Sequence, residues 1–286
     1  MLPTYHIGTL SPTALASLTT SDTTFTSSPQ NPSASFLSPH TWSKALLHSK
    51  ATVSPDTHIF RFALAYSTQT LGLPTGQHVL LKLRDPVRRA TVVRAYTPVS
   101  WPDEPGFCDV LVKAYTTGLM ASALDTLPLG HAVEFKGPLG NFQYRGAGVC
   151  AFKGTPRRVT ALNMVCGGSG ITPIYQVVSA VLRNEADTTQ CMVLYGNRGE
   201  DDILFREQLV AFEREHGERC RVVHTLSRAG PNWKGLRGRV GEELLRRYCG
   251  VEEGSMMLVC GPEAMERSVG RVLKGMGWRD EDVIFF

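Results

Sequence analysis

The sequence predicts two domains in series, an N-terminal six-stranded antiparallel β-barrel of Greek-key type and a C-terminal α/β domain with a doubly wound parallel sheet. Three observations predict this. Between Trp42 and about Tyr144, short β-rich runs are divided by turn residues, the pattern of a small barrel whose closure removes exposed edges. Beyond Pro156 the rhythm becomes strand, helix, strand, helix, which implies a parallel sheet covered on both faces. With 286 residues, 42% of them hydrophobic, the chain has material for two cores of ordinary size.

In chain order, Tyr5 to Leu10 is a short apolar segment that reads as the end of something preceding it. Ser11 to Ser38 is dominated by Ser, Thr and Pro, with too few large apolar groups to offset the entropy of ordering, and reads as a flexible linker. The expected domain limits are therefore 1–35, 36–152 and 153–286. Barrel strands are expected at Ala45 to Val53, His58 to Ala65, His78 to Leu83, Thr91 to Pro98, Cys108 to Ala114 and Ala132 to Lys136. One helix interrupts them, Leu119 to Leu127, opened by Gly118 and stopped by Pro128. The second domain contributes strands at Val159 to Val165, Met192 to Tyr195, Val222 to Leu226 and Met256 to Val259. Helical stripes lie between them at Ile174, Val178 and Val181, at Phe205, Leu209 and Phe212, and at Met265, Val269 and Val272.

Composition narrows the function. Thirty Lys+Arg against 26 Asp+Glu, without a basic run, gives no nucleic-acid footprint. Seven cysteines without a CxxC pair, and no His cluster at metal spacing, read as reduced thiols in a cytoplasmic protein with no metal site. Neither a signal sequence nor an apolar run of bilayer length is visible, so no membrane attachment is expected.

Four motifs carry chemistry. Cys166-Gly167-Gly168-Ser169-Gly170-Ile171-Thr172-Pro173 leaves a strand and enters a helix. Its glycines allow close backbone approach, Thr172 suits the N-cap and Pro173 the first turn, so free amides would face a diphosphate. Arg94-Ala95-Tyr96-Thr97-Pro98-Val99-Ser100 lies on a barrel strand where alternation would put Arg94, Tyr96 and Pro98 on one face, a guanidinium for phosphate beside a ring for an aromatic cofactor. Cys260-Gly261-Pro262 ends a parallel strand at the carboxyl edge, where wound sheets bind ligands, and a thiol there would touch a nicotinamide. Ser227-Arg228, with Lys234 and Arg237 behind it, stands where an acidic residue would mark NADH, so the local charge favours NADPH.

In this order, and with Gly118-Leu119-Met120, Gly137-Pro138-Leu139-Gly140 and the aromatic Val283-Ile284-Phe285-Phe286, the motifs resemble the cytochrome b5 reductase branch of the ferredoxin-reductase-like flavoenzymes. The resemblance runs from Phe36 to Phe286 and is strongest to the C-terminal reductase portion of fungal-type assimilatory nitrate reductase, whose haem domain ends much like Tyr5 to Leu10. The His-Pro-Gly-Gly haem signature and any molybdenum domain are absent from the sequence.

The resemblance implies FAD and NADPH (or NADH) as cofactors and a b-type haem domain or cytochrome b5-like protein as electron acceptor. It implies that Arg94, Tyr96, Thr97, Pro98, Ser100, Val112, Gly118, Leu119, Met120, Ala121 and Thr172 surround FAD. Gly167, Gly168, Gly170, Thr172, Pro173, Ser227, Arg228, Lys234, Cys260, Gly261, Pro262, Met265 and Phe286 would form the nucleotide pocket, with Cys260 and Lys113 nearest the reacting rings. Two departures stand out, Ala121 where Ser or Thr is usual and a short loop between Tyr115 and Gly118. Hydride transfer between stacked rings needs contact and dryness more than an acid or base, which accounts for the lack of a triad. Alternatives are a free-standing cytochrome b5 reductase and a non-catalytic nucleotide-binding module without flavin.

Overall fold

A computed structural model describes residues 35–85, 89–114 and 118–286. Tyr5 to Leu10, nearly all of the linker and the loop at 115–117 lie outside the described residues.

The first domain contains β1 (Ser43–Ser54), β2 (Thr57–Ala63), β3 (His78–Arg84), β4 (Thr91–Tyr96), β5 (Phe107–Lys113) and β6 (Ala132–Leu139). They pair antiparallel in the order β4-β3-β6-β1-β2-β5. The Val99 N–H donates to the Asp109 carbonyl across 2.9 Å, linking the chain just past β4 to β5 at the other edge. Period-two alternation builds this sheet: in β3, Val79, Leu81 and Leu83 point inward while their neighbours face out. Helix α1 (Leu119–Thr126) lays Met120, Ala121, Ala123 and Leu124 on the barrel core.

A small sheet that periodicity did not reveal follows, β7 (Phe142–Gly146), β8 (Val149–Phe152) and β9 (Thr155–Arg158). Its strands are four or five residues long, too short to show a period, and its turns carry left-handed residues at Ala147, Gly148, Lys153 and Gly154. The expected limit at 152/153 falls in the turn between β8 and β9. Phe142, Tyr144 and Cys150 of this sheet sink into the second domain's core together with Ile59 and Leu111 of the barrel, so one apolar mass spans the junction. The buried Tyr144 hydroxyl donates to Asp187 (2.6 Å), lies 2.9 Å from the Thr189 hydroxyl and accepts the Gly148 N–H (3.0 Å).

The second domain runs β10 (Ala161–Gly167), α2 (Ile171–Arg183), β11 (Gln190–Asn197), α3 (Arg206–His216), β12 (Cys220–Leu226), β13 (Leu236–Arg237), α4 (Glu242–Tyr248), β14 (Ser255–Cys260), α5 (Glu263–Gly275) and β15 (Val283–Phe285). All its strand pairs are parallel, in the order β13-β12-β11-β10-β14-β15. β10 starts two residues later than expected, because Val159 and Thr160 give their N–H groups to Gly148 and Gly254 instead of the sheet. Phe205 precedes α3 rather than opening it; it is the N-cap, at φ 56°, and its buried ring stacks on Tyr175 at 4.3 Å. Among the described residues no helix is long and apolar enough to cross a membrane.

Candidate functional site

The glycine-rich turn after β10 is a 3-10 turn, Gly168–Gly170, running directly into α2. The N-cap is Gly170, not Thr172: the 3-10 turn starts the helical path early, and Thr172 lies inside the first turn, buried, donating its hydroxyl to the Ser169 carbonyl (3.2 Å). The glycines divide into two kinds. A Cβ on Gly170 would lie 2.3 Å from the Cys260 carbonyl oxygen, one on Gly261 2.4 Å from Met265 Cε and one on Gly167 2.8 Å from Met265 Sδ, so these three let the β10 and β14 turns close-pack. A Cβ on Gly168, at φ +55°, would meet nothing within 4 Å and would face open space.

That space is a cavity of about 660 Å³ at the carboxyl edge of the parallel sheet. Of the residues expected to bind nucleotide, Gly167, Gly168, Ser227, Arg228, Pro262 and Met265 line it, and Lys113 joins them from the barrel. Gly170, Thr172 and Pro173 are buried at the helix start. Cys260 and Gly261 form the tight turn behind the cavity, with the Gly261 N–H donated to Glu266. Burial, with Glu266 nearby, pushes the Cys260 thiol up to about 12, which keeps it neutral. Phe286 meets Phe142 edge-on at 6.0 Å in the junction core. Lys234 is exposed outside the cavity, and Arg237 donates to the carbonyls of Ala229, Gly230 and Trp233, bracing its own loop.

Sequence reasoning missed Asn197, Arg198, Asp202, Arg239, Ser268 and Arg271, all of which line the cavity. Asn197 ends β11 and is buried near the Tyr195 hydroxyl, yet among the described residues neither its amide oxygen nor its amide nitrogen has a hydrogen-bond partner in good geometry. Its backbone carbonyl accepts the Ser227 N–H at 3.0 Å, fixing it beside the end of β12. An asparagine after an apolar strand looks like any turn residue, so only the fold singles it out.

A charge quartet joins the domains at the cavity's lip. Lys113 Nζ lies 2.8 Å from Asp202 and 3.3 Å from Asp56, and Arg198 lies 2.7 Å and 3.4 Å from the same carboxylates. Burial works to raise the Asp202 carboxyl, but hydrogen bonds from Arg198, Lys113 and the Gly199 N–H outweigh it and hold it at about 2.

On the barrel, pairing of β4 stops at Tyr96, so Pro98 lies beyond the strand that was expected to carry it. Arg94 is exposed, Tyr96 half-buried and Thr97 buried at the strand's end. Pro98 and Ser100 instead line a separate cleft of about 370 Å³ between the barrel and α2, where the Ser100 hydroxyl accepts the Asp109 N–H (3.0 Å). Val112 and Met120 point into the barrel core, leaving only their backbone to a ligand, and Ala121 packs there too. Gly118 caps α1 without a side-chain bond, so among the described residues the amides of Leu119 and Met120 have no partner, and they lie beside β4.

Residues 44–144 match the family described as oxidoreductase FAD-binding domain, and residues 164–271 the oxidoreductase NAD-binding domain. NADH-cytochrome b5 reductase 1 of Debaryomyces hansenii is 36% identical over 85% of this chain and 82% of its own length. The chain belongs to the cytochrome b5 reductase family. The cytochrome b5 reductase domain of Ulva prolifera nitrate reductase superposes with a TM-score of 0.84 at 35% identity, covering 88% of this chain and all of that domain. Nitrate reductase [NADPH] of Leptosphaeria maculans is 57% identical and that of Neurospora crassa 50%, each over the full chain. The chain spans about a third of the length of these two relatives, 33% and 31%.

A member of this family with both domains is an FAD-dependent NAD(P)H oxidoreductase, and the residues of the chain fit both groups. Arg94 and the free amides of α1 offer a charged fork and a helix N-terminus to the FAD diphosphate, with Tyr96 and Thr97 next along the chain. The orphaned Asn197 amide and the open space at the Gly168 turn suit the ribose hydroxyls and phosphates of a nucleotide.

Proposed function

We propose that the chain takes a hydride from NADPH, in preference to NADH, and delivers electrons singly to a b-type haem, as the reductase portion of an assimilatory nitrate reductase in the cytoplasm. Bound FAD supplies the conversion of a two-electron donor into one-electron steps. The observation that carries the reading is the cationic cavity opening beside the barrel: Gly168 and Asn197 on one wall, Ser227-Arg228 on another, Lys113 reaching in from the flavin domain. No carboxylate follows β12, where NADH enzymes place one for the ribose 2′-hydroxyl. The matches to nitrate reductases over the whole chain support the haem acceptor, and seven free cysteines support a reducing compartment.

Within this arrangement Lys113, held from both sides by Asp56 and Asp202, keeps a fixed positive charge at the domain junction. Cys260 and Pro262 shape the floor near the nicotinamide, and the neutral thiol adds no competing charge. Phe286 and Phe142 seal the junction from water. A second reading, a free-standing cytochrome b5 reductase, is favoured by the 82% coverage of the Debaryomyces protein. Two measurements test the proposal: kcat/KM for NADPH and NADH with ferricyanide, and stopped-flow reduction of a nitrate-reductase haem domain beside a free cytochrome b5. A clear NADH preference removes the nucleotide assignment, and faster reduction of free cytochrome b5 favours the second reading.

A further inference from the structure

Five cationic residues line the nucleotide cavity, Lys113, Arg198, Arg228, Arg239 and Arg271, and one anionic residue, Asp202. Lys113 and Arg198 are committed to Asp202 and Asp56. The side chains of Arg228, Arg239 and Arg271 make no hydrogen bond, ion pair or ring contact among the described residues. Three uncommitted guanidiniums around one hollow repel each other unless an anion sits between them.

Their positions converge from three elements. Arg228 lies two residues past the end of β12. Arg239 follows Gly238, whose N–H is donated to the Leu226 carbonyl (2.9 Å) and whose carbonyl accepts the Thr225 hydroxyl (2.9 Å), so Arg239 and Ser227 leave adjacent parallel strands side by side. Arg271 comes from α5, where Ala264, Ser268 and Arg271 recur at i, i+4 and i+7 along the cavity wall. Helical side chains lean toward the N-terminus, which directs Arg271 back toward the carboxyl edge of the sheet.

The diphosphate of either nucleotide is already provided for by the Gly168 turn. A 2′-phosphate adds about 1.5 to 2 negative charges at neutral pH, the surplus that three free guanidiniums match. We propose that Arg239 and Arg271, together with Arg228, clamp the adenosine 2′-phosphate and so decide the choice of nucleotide, a role that rests on NADPH being the substrate. The positive charge that Lys234 and Arg237 were expected to supply thus comes from the next loop and from the opposite helix.

The test uses the FAD-loaded full chain and calorimetric Kd values for 2′,5′-ADP and 5′-AMP, which share the adenosine and differ in the 2′-phosphate. Each of Arg271→Gln and Arg239→Gln should weaken 2′,5′-ADP by about tenfold to a hundredfold, the worth of a charge-assisted hydrogen bond, and leave 5′-AMP within about twofold. Arg267→Gln, on the same helix but outside the cavity, should change neither. Equal weakening of both ligands would assign the two arginines to the 5′-phosphate side, and no weakening of either would leave them solvated; each result overturns the clamp. If the unaltered protein itself binds both ligands equally, the NADPH reading fails first; if it favours 2′,5′-ADP and both variants keep that preference, only the clamp fails. Both arginines are exposed and unpaired, so unfolding midpoints should not move.

Discussion

Asn197→Ala separates a binding group from a structural one, because the two roles predict opposite signs in stability. The side chain is 8% exposed and, among the described residues, both amide atoms lack partners in good geometry. Leaving a buried polar group unsatisfied costs about 1–3 kcal/mol, so its removal should leave the free protein unchanged or more stable by about 1 kcal/mol. In a domain of this size that is a rise in Tm of about 2–4 °C. Both amide atoms are shielded from solvent, so truncation also leaves a small void that offsets part of this gain. Bound nucleotide, in contrast, would lose one or two hydrogen bonds worth about 0.5–1.5 kcal/mol each, a rise in its Kd of about 3-fold to 100-fold. Differential scanning calorimetry without nucleotide and a Kd titration with NADP+ read the two effects on one preparation. Asn197→Asp, which brings a carboxylate toward the phosphates, should weaken binding further than Ala. A fall in Tm with an unchanged Kd would refute the reasoning, since it would mean that the amide is satisfied by protein.

Gly170→Ala should lower stability by roughly 1–3 kcal/mol and slow flavin reduction together, because its Cβ would meet the Cys260 carbonyl at 2.3 Å and displace the β14 turn; an unshifted Tm would contradict the packing. The Asp202 carboxyl sits at about 2 in the folded protein against an ordinary 3.8, so the stability it contributes is present above about pH 4 and is lost as pH falls from 4 to 2. Urea midpoints of the natural protein and Asp202→Asn should accordingly differ at pH 5 and converge near pH 2. Tyr144→Phe removes one hydroxyl serving Asp187, Thr189 and Gly148 and should cost about 1–3 kcal/mol by urea unfolding, with little change in kcat. Ser227→Asp places a carboxylate against the proposed 2′-phosphate and should move the ratio of kcat/KM for NADPH over NADH by more than about tenfold toward NADH.

The sequence by itself determined the two domains, five of the six barrel strands to within about two residues, and the order of the motifs, because period-two and period-3.6 patterns are local properties of a chain that must bury one face. It also pointed to Gly168, Ser227, Arg228 and Pro262, which sit at strand ends where a wound sheet binds ligands. Tertiary structure decided the rest. Which glycines face the cavity and which pack turn on turn depends on β10 and β14 lying side by side, though some 90 residues part them in sequence. That Thr172 is not a cap, that Pro98 and Ser100 line a different cleft, and that Asn197, Arg239 and Arg271 share one hollow with Lys113 are likewise facts of juxtaposition. Charge and hydrogen-bonding capacity are written residue by residue, but whether a group is spent on a neighbour or left for a ligand is settled only when distant strands and helices bring those neighbours together.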